Sequence, residues 1–310
     1  MVTKGKRNEA ERSRAARLSV AEREAAARRA KQPDEQAILR VRADDRELLV
    51  HLYRWARWLT LEQAQRLAYP DLAERYVFTR LTHMREAGIV RAMRRPPTRP
   101  EETQVKGGAQ LIWSVGKWGI WLVEREVLTE SRHRTERDFS LSVMYLEHQL
   151  RCNDLAIETL VEARAAGAEV EWQAGRDAWI RAGKSRLIPD GIAEFWEGVG
   201  RMPTLYFLEM DQGTATLKQL EAKLLRYRHM LAHAEAHQEG QGTEAERWRA
   251  LAHGRILWIC ESRERGQRVL DLAAHLKVPE ILVRTLEEGK ETLRQQARAC
   301  ALRAGGGERT

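Results

Sequence analysis

The chain has 310 residues, 43% of them hydrophobic, 32% charged and 6% aromatic. That apolar share supports folded cores and excludes a wholly disordered chain, and no apolar run reaches the length of a membrane span. Lys and Arg number 53 against 45 Asp and Glu, a formal charge of +8, and residues 1–43 hold twelve of those bases and only six of the acids.

A basic arm on a nearly neutral body points to a polyanion partner, most simply nucleic acid. The plainer reading is a solvated, partly helical tail. Cys152, Cys260 and Cys300 are odd in number, far apart and in no CxxC spacing. That excludes a disulfide scaffold or a cysteine zinc site and fits a reducing cytoplasm. The N-terminus is too charged for a secretory leader and lacks an apolar stretch. A cytoplasmic protein without a membrane partner is the expectation.

From Asp44, Leu48, Leu49, Leu52, Trp55 and Leu59 keep helical spacing. Thr60-Leu61-Glu62-Gln63 reads as a capping box opening a second short helix, which Pro70 stops. A third helix is expected from Leu72 to Ala87, with Val77, Leu81 and Met84 on its inner stripe and Gly88 ending it. Ile89-Val90, a basic proline-rich stretch, a polar Gly-Gly loop and Leu111-Ile112-Trp113 make a hairpin with a long tip, and Lys117 to Val127 a closing helix. Three helices followed by a hairpin is the order of a winged helix-turn-helix, over residues 44–128.

The third helix is then the recognition helix. Arg75, Thr79, Thr82 and His83 are left outward, flanked by Arg80 and Arg85, and Arg91, Arg94, Arg95 and Arg99 lie on the hairpin. From Arg75 to Arg99 there are seven arginines and one acid, Glu86. Forked guanidinium donors suit both phosphate and the guanine edge. The candidate DNA-binding residues are Arg75, Thr79, Arg80, His83, Arg85, Arg91, Arg94 and Arg95; a protein-contact face with solvated arginines is the alternative.

After a polar linker, Thr129 to Asp138, a long helix runs from Phe139 to Ala166. The period then changes to two. Strands are expected at Glu169–Gln173, Trp179–Arg181, Ile188–Trp196 and Thr204–Asp211, followed by a helix from Thr214 to Gln238, a buried strand Arg255–Cys260, a helix Ser262–Leu276 and an amphipathic helix Pro279–Arg303. The expected divisions are an arm (1–43), the winged helix (44–128), a second domain (138–277) and a C-terminal helix with a tail (278–310).

Pro189-Asp190 and Glu209-Met210-Asp211 could carry chemistry. Glu209 and Asp211, two apart on a strand, share a face. With Asp190 they make an oxygen-rich set suited to Mg²⁺ or Mn²⁺ rather than zinc, able to polarise a phosphodiester and activate water. Lys218 or Lys223 on the next helix could offset phosphate charge. Acids at strand ends are common, so the plain structural reading stands beside this one. His229, His233 and His237 are spaced for chelation, but no carboxylate-histidine motif accompanies them and a solvated helix face explains them better. No paired-histidine motif with an early tyrosine occurs, so a tyrosine-linked DNA intermediate is not expected.

A helix, a meander carrying Pro-Asp and Glu-x-Asp, a helix and a strand resemble the PD-(D/E)xK nuclease core, with Asp211 in place of the usual lysine. Further, Leu146-Glu147-His148, Asn153-Asp154, Pro189-Asp190-Gly191, Phe207 to Thr214 and Lys223 to Tyr227 resemble the replication-relaxation family, which is similar to MOBC-type mobilisation relaxases. The resemblance implies an α+β protein with an N-terminal winged helix and a restriction-endonuclease-like α/β domain. It implies nicking or relaxing of plasmid or mobile-element DNA at a replication or transfer origin. The implied catalytic set is Asp190, Glu209, Asp211, Lys223 and Glu147, with Mg or Mn on Asp190, Glu209 and Asp211. Implied partners are double-stranded origin DNA, relaxosome or replication proteins and a second copy of the chain. The alternatives are a catalytically inactive relaxosome or replication accessory protein and a winged-helix transcriptional regulator.

Overall fold

A computed structural model describes residues 40–95, 110–126, 134–139, 143–175, 177–198, 201–239 and 241–305. Most of the basic arm, the hairpin tip with Arg99, and much of the linker lie outside the described residues. No helix among the described residues is long and apolar enough to cross a membrane.

The protein is a mixed α+β structure. The N-terminal part opens with α1 (Ala43–His51), which passes into a π-helical turn over Leu52–Ala56 rather than continuing as the single helix expected from the leucine spacing. Arg57 then takes a positive φ of 56° and the chain reverses. β1 (Leu59–Thr60) leads into α2 (Leu61–Ala68), capped as expected: the Gln63 N–H donates to Thr60 Oγ1 and the Thr60 N–H to Gln63 Oε1, both at 3.1 Å. α3 spans Glu74–Glu86, with Val77, Leu81 and Met84 buried beneath it. β2 (Val90–Arg94) and β3 (Leu111–Val115) pair antiparallel, β1 joins the far side of β3, and α4 (Lys117–Glu126) closes the unit. Gly119 allows that closure, since a Cβ there would collide with the Ile89 carbonyl oxygen.

The rest is built on a five-stranded sheet. α5 (Val143–Ala166) precedes β4 (Glu169–Gln173), a small hairpin β5 (Ile180–Ala182) and β6 (Ser185–Leu187), then β7 (Gly191–Trp196) and β8 (Thr204–Asp211). α6 (Leu217–His237), α7 (Thr243–Ala252), β9 (Arg255–Cys260), α8 (Arg263–His275), β10 (Ile281–Thr285) and α9 (Leu286–Gly305) follow. The strand order is β10-β9-β8-β7-β4. β4, β7 and β8 form an antiparallel meander, and β8, β9 and β10 run parallel.

Three expectations are corrected. The segment around Trp179–Arg181 does not join the sheet; it pairs with Ser185–Leu187 as a separate hairpin against α6. α6 begins at Leu217, not Thr214, because Thr216 caps it through the Gln219 N–H. The final helix begins at Leu286, because Ile281–Thr285 is a strand beside β9. α7 occupies a stretch to which the sequence assigned no element.

Along β8 the side chains alternate between two cores. Leu205 and Phe207 pack with Leu220, Leu224 and Tyr227 of α6, while Tyr206, Leu208 and Met210 pack with α5 and α9. The second of these cores runs unbroken from the N-terminal helices to the sheet. Asn153 of α5 donates to the carbonyls of Ala56 (3.0 Å) and Trp58 (2.6 Å), and Gln63 to that of Leu150 (2.9 Å). Glu158 adds ion pairs to Arg66 and Arg294, both at 2.6 Å.

Candidate functional site

The site forms where β7 begins and β8 ends. The Asp190 N–H donates to the Leu208 carbonyl at 2.9 Å, and Asp190 Oδ2 accepts from the Met210 N–H at 2.8 Å. Asp190 is thereby fixed beside Glu209 by the sheet itself. Glu209 points toward α6, where Lys223 and Tyr227, one turn apart, reach back to it. Tyr227 Oη donates to Glu209 Oε1 at 2.6 Å, Lys223 Nζ pairs with Glu209 Oε2, and the same ammonium lies 4.0 Å from Asp190 Oδ1. From the other side, His148 Nε2 of α5 is 3.2 Å from Asp190 Oδ1.

The two acids sit in different electrostatic settings. Burial pushes the Glu209 carboxyl up to about 8, against the pull of the Lys223 charge. Asp190 is also penalised by burial, but the His148 hydrogen bond, the Lys223 charge and the Met210 N–H outweigh it and hold the carboxyl at about 2. Lys223 loses by desolvation and gains more from its two carboxylate neighbours, so its pKa is raised. Two like acids pushed apart, one kept ionised and one favouring its proton, is a pattern found at reactive sites.

Asp211 shares the strand face of Glu209 but not its partners. Arg265 Nε donates to Asp211 Oδ2 at 2.8 Å and the Gly213 N–H to Oδ1 at 2.9 Å. Glu147 lies next to His148 on α5 but is gripped by Arg95, the residue just past β2, at 2.6 and 2.8 Å. The structure thus brings together Asp190, Glu209 and Lys223 and holds Asp211 and Glu147 elsewhere. Among the described residues no group of three or more His, Cys, Asp or Glu side chains is arranged to hold a metal ion. Asp190 and Glu209 do converge on a site already holding positive charge, and two carboxylates suit a hard divalent ion. His148, Tyr227 and Arg265 had no role assigned from sequence. The four-residue step from Lys223 to Tyr227 is a signal for Tyr227, whereas nothing local links Arg265 to Asp211.

On the N-terminal unit, Arg75, Thr79, His83 and Arg85 of α3 are exposed, as are Arg94 and the aromatics Tyr76 and Phe78. Arg80 is different. Its Nε is 2.9 and 3.1 Å from the two oxygens of Asp45, which is wholly buried. Arg91 is half-buried with its guanidinium 5.0 Å over the Trp58 ring. His233 and His237 stack on each other against Trp248, and His229 is exposed.

The fold is thus a helix-and-hairpin unit fused to a mixed sheet, with charged residues gathered at the end of its central strands, in the α+β class. Residues 49–245, more than half of the chain, match the replication-relaxation family. The chain belongs to that family, whose name points to replication or relaxation of plasmid and mobile-element DNA. No curated protein and no solved structure matches the chain.

Proposed function

We propose that the protein binds duplex DNA at a plasmid or mobile-element origin through an N-terminal winged helix, and nicks it by divalent-metal-dependent hydrolysis. The observation that carries this is the convergence of Asp190, Glu209 and Lys223 at the end of a β-meander. The order α5-β4-β7-β8-α6-β9 supports a PD-(D/E)xK-type reading, and Lys223 reaches the acids from α6 where Asp211 replaces the usual lysine. Helices α1–α3 with the three-stranded sheet support the winged-helix reading.

In this reading Asp190 and Glu209 would hold Mg²⁺ or Mn²⁺, which would supply Lewis acidity at the phosphate when bound. Lys223 places positive charge beside the developing phosphorane, and His148 keeps Asp190 ionised and oriented. A water oxygen bonds to phosphorus as one ester bond to a sugar oxygen breaks, and that oxygen leaves with a proton. Asp211 and Glu147 act structurally, through Arg265 and Arg95.

One observation favours a second reading, a non-cutting accessory protein. Glu209 is 2% exposed and both of its oxygens are already engaged. Incubating supercoiled origin plasmid with Mg²⁺ or Mn²⁺ separates the two. Nicking is expected from wild type and lost in Glu209→Ala, with DNA binding retained in a gel shift. Binding without nicking by wild type under either ion selects the accessory role.

A further inference from the structure

We infer that the β5–β6 hairpin is a second DNA-contacting surface, one that grips phosphate backbone beside the acid site. It rests on the DNA-binding part of the proposed function and not on cutting. The hairpin stands off the main sheet. Its inner residues Ile180, Ala182 and Leu187 are buried against Leu220, Leu224 and their neighbours on α6. Arg181 and Arg186 on its outer face and Lys184 at its tip are exposed. Gly183, with a φ of 59°, opens the tight turn, and Lys184 follows at the tip.

The register sets Arg181 directly opposite Arg186. Like charges so placed destabilise a hairpin, and residues 178–187 contain no acid to relieve them. Among the described residues none of Arg181, Lys184 and Arg186 forms an ion pair with a carboxylate. Several arginines elsewhere in the body do pair with acids: Arg66 and Arg294 with Glu158, Arg134 with Asp177, Arg265 with Asp211, Arg298 with Glu162. The Arg186 guanidinium lies 3.2 Å from the centroid of the Trp179 ring, which steadies it while leaving its edge free to donate. Three unneutralised bases on a firmly seated hairpin suit a regularly charged polyanion, and forked guanidinium groups suit phosphate oxygens.

The location fixes which polyanion. Leu187 is followed by Ile188-Pro189-Asp190, so the hairpin runs straight into the carboxylate held by His148 and Lys223. It also packs on α6, the helix that carries Lys223. A backbone held by Arg181, Lys184 and Arg186 would thus be held by the segment that leads directly into Asp190. Such contacts add affinity without reading sequence.

The test is the salt dependence of binding to a labelled duplex of arbitrary sequence, by fluorescence anisotropy with the full chain. Each phosphate left without its basic partner takes about 0.9 from the slope of log K against log salt. The Arg181→Ala/Lys184→Ala/Arg186→Ala variant is expected to lower the slope by about 2–3, with unchanged far-UV circular dichroism. Lys184→Gln, altered only at the solvent-facing tip, keeps the test open if the triple variant misfolds; it should remove about 0.9. An Arg75→Ala/Arg94→Ala variant, away from the hairpin, reports on the winged helix separately. If this variant weakens binding while the hairpin variants keep wild-type slope and affinity, the inference is overturned, and an acidic protein surface becomes the better partner. If wild type does not bind duplex DNA, the functional reading and the inference fall together. If it binds but never nicks, a lowered slope in the hairpin variants still supports the inference.

Discussion

Arg80 offers the sharpest separation between what its sequence position suggests and what its surroundings do. On charge and helix face it belongs to a DNA-binding set, and its loss would weaken binding. In the fold it neutralises Asp45, which is 0% exposed and also accepts from Tyr69 Oη at 2.8 Å and the Arg42 N–H at 2.7 Å. Removing one partner of a buried ion pair costs about 3–5 kcal/mol. The Arg80 side chain is 21% exposed, and Asp45 keeps two other donors, so about 2–4 kcal/mol is the working figure for Arg80→Ala. At about 2–4 °C per kcal/mol for a protein of this size, Tm should fall by about 5–15 °C. The loss should depend on pH. Burial alone would raise the Asp45 pKa, but Arg80, the Arg42 N–H and Tyr69 together hold it below the ordinary carboxylate value. Its stabilisation is therefore present above the unfolded value of 3.8 and fades as pH falls through the lower folded value. The gap between wild type and Arg80→Ala should be widest near neutral pH and close in acid. Thermal unfolding by circular dichroism across pH checks this, and Asp45→Ala/Arg80→Ala should cost less than the sum of the singles. DNA binding, measured well below Tm, should keep its salt slope. A Tm within about 1 °C of wild type, together with a slope lowered by about 0.9, would refute the reasoning.

Two further predictions concern the join between the halves and the buried acid. Asn153→Ala takes the side-chain donor from the Trp58 carbonyl, while the Ala56 carbonyl keeps the Trp58 N–H at 2.6 Å; at about 1–3 kcal/mol for a buried group left unpaired, calorimetry should show a lower Tm, and an unchanged one would mean that this amide does not tie the units together. Glu209 has a folded pKa raised to about 8 from 4.5. A raised acid contributes stability that is complete below the unfolded value and is lost as pH rises through the folded one. Glu209→Gln, which cannot ionise, should therefore gain in Tm relative to wild type from pH 5 to 9; a difference that stays constant over that range would show that Glu209 is ionised with Lys223 throughout.

Local signals were legible where a few neighbouring residues decide the outcome. The Thr60–Gln63 capping box, the Val77/Leu81/Met84 stripe of α3 and the alternation along Thr204–Asp211 are each complete within a short window, because hydrogen bonds at a helix start and side-chain periodicity need no distant partner. They gave the α+β class, the helix-and-hairpin order and the acids worth testing. Ile281–Thr285 was misread because Leu282, Leu286 and Leu293 mimic a helical stripe; only β9, waiting with open hydrogen-bonding groups, makes that segment a strand. Partner choice was likewise beyond the sequence. Glu209 and Asp211 are equivalent by spacing, yet one meets Lys223 and Tyr227 and the other Arg265. Arg80 and Arg75 look alike on α3, yet only Arg80 meets a buried carboxylate 35 residues away. Whether a charged side chain is free to act depends on which opposite charge the folded chain brings beside it and how much water remains there, and both are fixed only when distant segments pack.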